Sequence, residues 1–338
     1  MGEAVRLAHL ARPHPNPQVG AVLVKDGSVI GSGFHTGPGA AHAEIEALAD
    51  VGEAARGATM YVTLEPCSHH GRTPPCADAL IAAGVASVIV GEADPDARVS
   101  GRGVARLREA GVEVIDGLLD ESVDPAYMFH RRTGRAMTTL KSAITLDGQL
   151  AAADGSSQWI TSQQARRHGH ELRAKVDAIL VGAGTVIADD PLLTVRLPDY
   201  TGPQPRPIVV AGARPIPSDR RIWERDPLVL SSGPWTGRGT ALPVAGDDSH
   251  VDLKAALVAL SEHGYLDVLV EGGSALSGAL WRRGLVDRGV FYVGAKVAGG
   301  VGIGPFDGTF ATLADARSVD ITAIHQIGPD VVIEFITE

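Results

Sequence analysis

The sequence predicts an α/β protein of two domains. A length of 338 residues exceeds what one hydrophobic core ordinarily supports. Apolar runs of strand length alternate with helical stretches along almost the whole chain, the pattern of layered α/β architectures. That alternation lapses between Asp120 and Arg135, where apolar residues at strand spacing are few and Arg131-Arg132-Thr133-Gly134-Arg135 forms a basic cluster. We therefore place one domain over residues 1–122, a short helix and linker over 123–135, and a second domain over 136–338.

The first fifteen residues form a short amphipathic helix without the continuous apolar core of a signal peptide, which points to the reducing cytoplasm. Pro15-Asn16-Pro17 leads into an apolar strand at 19–24. Lys25-Asp26-Gly27-Ser28 is a hairpin turn signal, and 29–33 returns as the second strand. Gly37-Pro38-Gly39 then breaks structure before a helix at 43–49. Residues 59–64 read as a buried strand that delivers Glu65-Pro66-Cys67. Cys76, after two prolines, opens a helical run at 77–83. A strand at 86–90 and a helix at 103–111 follow, completing a three-layer α/β domain.

The chemistry concentrates between Ala41 and Cys76. His42, Cys67 and Cys76 are a sufficient set for a tetrahedral zinc ion with one position open to water. Glu44 lies two residues from the imidazole. Residues two apart point to opposite sides of a helix interior, so His42 and Glu44 share a site only over the first turn, where the preceding glycines place them. Zinc brings the pKa of bound water towards neutrality, and a carboxylate that is not a ligand can shuttle protons between that water, a ring nitrogen and a departing amine. The competing readings are a disulfide, disfavoured by only two Cys in the chain, and structural roles for each residue separately. The H-x-E half of the zinc-deaminase signature is matched, but eight residues rather than two separate the thiols.

That longer segment, TLEPCSHHGRTPPC, resembles the bifunctional deaminase/reductase family of riboflavin biosynthesis. The resemblance implies a cytidine-deaminase-like three-layer fold for the first domain. It also implies a substrate contact from Asn16 in the PNPxVG segment, although a lone Asn between prolines is most often a turn residue. His69 and Arg72, in the loop between the thiols, would help hold a phosphorylated substrate; solvated loop residues are the plainer alternative.

In the second domain, strands are expected at 137–143, 177–181, 207–210, 228–231 and 266–270, helices at 162–175 and 253–263, and a closing hairpin at 321–336 about Gly328-Pro329-Asp330. Two glycine clusters follow strands: 181–185, and 271–274, which leads into a helix expected to start near Ala275. Neither is a GxGxxG fingerprint, and local sequence favours tight turns for both. KSAITLDGQLA, SSQWITS, DAILVGAGTVIADDPLLTVR and LVEGGSALSGALW resemble the reductase half of the same family, whose domain is dihydrofolate-reductase-like and uses NADPH. By motif position the cofactor would meet Ala143, Trp159, Thr185, Asp189, Gly273, Ser274, Ala275, Leu276, Ser277, Gly278 and Ala279. The substrate would meet Ser157, Arg173, Leu193, Arg196 and Glu271. A guanidinium forks well onto phosphate, though surface salt bridging is the commoner fate of an Arg. Lys141 and Asp147 are the candidate proton donors, and His168 stands where the family commonly has an acidic residue.

A net charge of −10 and 4% aromatic residues work against nucleic-acid binding, which needs basic surface and stacking platforms. No apolar run approaches membrane-spanning length. A small-molecule substrate is therefore expected, with no nucleic acid and no membrane; the resemblance implies that this substrate is a phosphoribosyl-pyrimidine and that the chain forms a homo-oligomer of two or four chains. The expected cofactors are Zn²⁺, from the ligand set, and NADPH, as the resemblance implies. The rival functions are a deaminase of free nucleosides or tRNA with an inert second half, and a catalytically silent binding or assembly protein with structural zinc.

Overall fold

The computed structural model describes residues 1–68, 74–96, 100–212, 215–247, 250–309 and 311–337. The chain divides into two compact units, Met1–Gly134 and Arg135–Glu338.

The first unit runs α1 (Gly2–Ala8), β1 (Gly20–Lys25), β2 (Ser28–Phe34), α2 (Ala43–Leu48), β3 (Thr59–Leu64), α3 (Cys76–Ala83), β4 (Ser87–Glu92), α4 (Arg102–Glu109), β5 (Glu113–Ile115) and α5 (Pro125–Thr133). Its sheet has the order β2-β1-β3-β4-β5. β1 is antiparallel to β2 and β3, whereas β3, β4 and β5 are parallel. Asp26 and Gly27 turn the first hairpin with φ of 50° and 76°, the doubly left-handed geometry that a two-residue hairpin prefers. Helix α2 lies so close to β2 that a Cβ on Gly33 would stand 2.6 Å from the Ala43 carbonyl oxygen and 2.4 Å from Glu46 Cβ. Only glycine permits that approach, and it brings the start of α2 down onto the sheet.

The segment expected as a short helix and linker is not a linker. Asp124 caps α5 by accepting from the Tyr127 N–H at 3.0 Å, and His14 Nε2 lies 3.0 Å from its carboxylate, both side chains being buried. Tyr127 donates its hydroxyl to Asp94, and Arg131 pairs with Asp96. These bonds fasten α5 into the first unit, and the chain leaves it at Gly134, whose φ of 74° ends the helix.

The second unit contains β6 (Met137–Thr145), α6 (Gln163–Arg173), β7 (Ala178–Gly182), α7 (Ala183–Asp189), β8 (Arg206–Val210), β9 (Leu228–Ser231), β10 (Thr240–Pro243), α8 (Leu253–Glu262), β11 (Asp267–Val270), α9 (Ser274–Arg282), β12 (Arg288–Gly294), β13 (Asp320–Ile327) and β14 (Asp330–Ile336). The sheet order is β10-β9-β8-β7-β11-β6-β12-β14-β13. The strands from β10 to β12 are parallel, and β14 and β13 close the edge antiparallel. Helices cover both faces, which is why these strands read as continuous apolar runs. Along β7, Leu180 joins the core made with α8 and α9, while Ile179 and Val181 join the opposite one with Ile222 and Trp223. Ser162 caps α6 through the Ala165 N–H, and Asp252 caps α8 through Lys254 and Ala255. Strands β5, β10 and β12 were not foreseen. The first glycine cluster, expected as a tight turn, instead opens α7, whereas the second leads into α9, the helix expected near Ala275. Among the described residues no helix is long and apolar enough to cross a membrane.

Candidate active sites

In the first unit, three elements deliver the expected metal ligands. His42 is the cap residue of α2, Cys76 is the first residue of α3, and Cys67 follows β3 after Pro66. His42 Nδ1 lies 3.2 Å from Cys76 Sγ and 3.6 Å from Cys67 Sγ, and all three ligand atoms fall within 4.8 Å of one another. A tetrahedral zinc ion with Zn–N near 2.0 Å and Zn–S near 2.3 Å spaces such atoms about 3.5–3.8 Å apart, so this donor set fits zinc. Both cysteines are free thiols, which overturns the disulfide alternative. The Cys76 backbone N–H donates to Cys67 Sγ at 3.3 Å, a bond that favours thiolate. Hydrogen bonding with Cys76, reinforced by His42, draws the Cys67 thiol down to about 4.

Glu44 stands in the first turn of α2 and is 3% exposed. Burial raises its carboxyl to about 7, and the Cys76 thiol hydrogen-bonds it. A nearly dry carboxyl balanced near neutrality beside a metal-ligand set can both take and give a proton.

Two supporting residues were not singled out by sequence. His35 Nδ1 faces the Ala41 carbonyl oxygen at 2.9 Å, so this nitrogen donates; Nε2 then accepts from Asn16 Nδ2 at 2.8 Å. The Asn16 amide is thereby oriented, its Oδ1 left to accept from another donor. Glu65 is buried and accepts from the Gly101, Gly103 and Val104 N–H groups at 2.9, 2.9 and 3.3 Å, clamping the start of α4 against the strand that leads to Cys67. His69 and Arg72 lie outside the described residues.

In the second unit the expected substrate residues gather in part. Arg173, at the end of α6, grips Glu271 with Nε and Nη2 at 2.6 and 2.8 Å, and its Nη1 donates to the Thr194 carbonyl at 2.9 Å. Burial alone would raise the Glu271 carboxyl, but Arg173, with Lys141 and His170, takes it down to about 2. Lys141 Nζ lies 4.0 Å from Glu271 and 5.6 Å from the Tyr292 ring centre. Desolvation lowers its pKa. Leu193 is buried, and Arg196, which follows it, is exposed, with its N–H donating to His170 Nδ1 at 3.3 Å. Burial, helped by Arg173 and Arg196, brings His170 down to about 4, so it stays neutral near pH 7.

The expected cofactor residues fall in two places. Thr185 Oγ1 accepts from the Gly273 N–H at 3.1 Å, so the starts of α7 and α9 meet. The first-turn N–H groups of α9 suit an anion. Within that helix the Ser277 N–H is engaged by the Gly273 carbonyl, and Leu276, Ser277 and Gly278 are buried. Asp189 is exposed at the end of α7. Trp159 is exposed, with the Arg166 guanidinium 4.4 Å from its ring centre. Trp159 and Ser157 line a cavity of about 350 Å³ with Thr145 and Lys296; Arg173, Leu193, Arg196 and Glu271 do not line it. Ala143 lies half-buried on β6, two residues beyond Lys141.

Asp147, the other candidate proton donor, is engaged as an acceptor. Its carboxylate accepts from the Thr145 hydroxyl and from the Ala298 and Gly299 N–H groups, and the Thr145 bond first, then these two, hold it at about 2. A carboxyl so held is a loop anchor.

Comparison with known proteins agrees with this division. Residues 1–92 match the cytidine and deoxycytidylate deaminase zinc-binding region, and residues 136–333 match the RibD C-terminal domain. The riboflavin biosynthesis protein RibD of Escherichia coli K12 is 41% identical, over 99% of this chain and 98% of that protein. This chain belongs to the RibD family. The RibD of Mycobacterium tuberculosis is 38% identical over 99% of this chain and 96% of its own length. A structure of Acinetobacter baumannii RibD superposes with a TM-score of 0.89 at 36% identity, covering 100% of this chain and 97% of that one. A Thermotoga maritima structure, described as a diaminohydroxyphosphoribosylaminopyrimidine deaminase/5-amino-6-(5-phosphoribosylamino)uracil reductase, gives 0.86 at 34% identity with the same coverage. As a RibD-family member the chain is a bifunctional enzyme of riboflavin biosynthesis, with a zinc-binding deaminase domain and an NADPH-using reductase domain.

Proposed function

We propose that the first unit hydrolyses the 2-amino group of 2,5-diamino-6-(5-phosphoribosylamino)pyrimidin-4-one, and that the second reduces the resulting ribosyl side chain with NADPH to 5-amino-6-(5-phosphoribitylamino)uracil. The observation that carries this reading is the buried Glu44 beside the converged His42, Cys67 and Cys76. A structural zinc site has no need of such a carboxyl, which counts against a silent protein. When bound, zinc supplies the Lewis acidity that makes water nucleophilic near neutral pH. Glu44 carries one proton of the attacking water to the ring nitrogen and then the second, from the new hydroxyl, to the leaving amine, so that the hydroxyl becomes a carbonyl, the C–N bond breaks and ammonia departs. Asn16, its amide turned by His35, accepts from a donor on the pyrimidine edge.

In the second unit NADPH supplies the reducing equivalents. Lys141, close to Glu271 and partly desolvated, is the proton donor that the geometry favours over Asp147. Arg173 and Arg196 lie near the Glu271 carboxylate and Arg221 lies near Arg196, an excess of positive charge suited to a phosphate on an otherwise acidic chain. Arg196 has the freer guanidinium, since the fork of Arg173 is occupied by Glu271. The free thiols fit a reducing cytoplasm. A dimer or tetramer remains the expectation, to be read by light scattering.

The test is one cuvette: purified, zinc-analysed protein with the diaminopyrimidine ribosyl phosphate, following ammonia and then NADPH absorbance. Ammonia release followed by NADPH oxidation supports both halves. Neither signal from folded, zinc-loaded protein would overturn the substrate assignment.

A further inference from the structure

The loop between α7 and β8 carries Leu193 and Arg196 and has no strand or helix of its own from residue 190 to 205. Leu193 adopts a φ of 51°. A left-handed conformation is unfavourable for a branched L-residue and persists only where its surroundings over-determine it. Three side chains provide that determination by holding successive carbonyls. Arg225 Nη1 donates to the Leu192 and Leu193 carbonyl oxygens at 3.2 and 2.9 Å. Arg173 takes the Thr194 carbonyl, and Gln204 brackets Val195, accepting from its N–H at 2.7 Å and donating to its carbonyl at 3.3 Å. Arg225 also reaches the Pro205 carbonyl through Nη2 at 2.9 Å, so one guanidinium ties the beginning of the loop to its end.

Arg173 belongs to the substrate residues already described. Arg225 does not: it comes from the 3-10 turn Arg221–Arg225 just before β9, and its hydrogen bonds go to backbone carbonyls of this loop. We propose that Arg225 is a positioning residue of the reductase site, which holds Leu193 in its left-handed conformation and thereby aims Arg196 at the substrate phosphate. This rests on the reductase reading above. The role needs a planar fork that serves three carbonyls at two separated points, which a lysine ammonium on a flexible stem does not supply.

The experiment compares full-length, zinc-loaded wild type with Arg225→Ala, Arg225→Lys, Arg196→Ala and the Arg225→Ala/Arg196→Ala double variant. Each is assayed for reduction of the deaminated ribosyl phosphate and, as a control in the same chain, for deamination. Arg225→Ala should raise the reductase KM about tenfold while changing kcat far less, and leave deamination unaltered. Arg225→Lys should behave like Arg225→Ala. Millimolar guanidinium should lower the KM of Arg225→Ala but not of Arg225→Lys. The double variant should be no worse than Arg196→Ala, because both act through one contact. Hydrogen exchange at the 192–197 amides, which needs no substrate, should accelerate in Arg225→Ala. An unchanged KM, full activity in Arg225→Lys, additive losses or unchanged exchange each overturn the inference. Wild type that fails to oxidise NADPH defeats the reductase reading, and the exchange result still decides whether Arg225 holds the loop.

Discussion

Arg173 and Glu271 meet in a two-point ion pair across 98 residues of sequence, with both side chains less than one-sixth exposed. Each was expected to contact substrate; the structure joins them to each other first. A carboxyl held at about 2 instead of its ordinary 4.5 stabilises the fold above the unfolded value and loses that contribution as pH falls through the folded one. We therefore expect the pair to contribute on the order of 3 kcal/mol at neutral pH, undiminished down to about pH 5 and lost progressively towards pH 2. Thermal unfolding from pH 6 to 2 should show this acid limb in the wild type and a shallower one in Glu271→Gln. Arg173→Met, which strands the buried carboxylate, should cost about 3–5 kcal/mol near pH 7 and less in acid.

Glu65 and Gly103 make a second lock, behind the metal ligands. A Cβ on Gly103 would stand 1.9 Å from the Pro66 carbonyl oxygen, an overlap with backbone that no rotamer relieves. Gly103→Ala should therefore push α4 off the Pro66-Cys67 corner, and Glu65→Ala should release three N–H groups from their acceptor. Both variants should lose zinc to a competing chelator faster than wild type, while the reductase rate stays within twofold. Wild-type zinc retention in both would show that the corner holds its shape without the lock.

How far these features were legible in sequence depends on how locally they are specified. The ligands His42 and Cys76 sit at helix starts announced by Gly37-Pro38-Gly39 and by Pro74-Pro75, so their convergence followed from spacing and turn chemistry. The partners of Glu65 lie beyond position 100, and nothing near residue 65 signals them. The membership of α5 was settled by the His14–Asp124 pair, formed across 110 residues. Strand β12 escaped notice because Gly289 and Gly294 weaken its strand pattern; Gly289 is needed because the Phe335 ring fills the space a Cβ would take. The 181–185 cluster resembled a turn locally, and it is the sheet, placing a helix after the strand, that makes it a helix start.

Glu44 offers the sharpest separation of the two activities. Glu44→Gln keeps the volume and removes the titratable group, so zinc content should be unchanged while deamination falls by about 10²–10⁴-fold, the range for loss of a proton-transfer group. Reduction of the already deaminated intermediate should persist. Arg196→Ala should do the reverse, raising the reductase KM with deamination intact. Loss of both activities in either folded variant would show that the two units do not act independently.

Asp147 and Lys141 can be told apart by the shape of a pH profile. Asp147 remains ionised down to about pH 2, so at neutral pH it has no proton to give, and its oxygens are occupied by Thr145, Ala298 and Gly299. Asp147→Asn keeps one acceptor oxygen and loses the other to an amide that repels an N–H donor, so its effect should appear as a looser 298–299 segment and a higher KM. The pH dependence of kcat should keep its wild-type limbs. Lys141→Met preserves most of the apolar stem beside Tyr292 but removes the ammonium, and should lower kcat by about 100-fold or more while abolishing the limb that reports the amine. A vanished limb in Asp147→Asn, with Lys141→Met merely slowed, would move the proton back to the carboxylate despite the three donors that surround it.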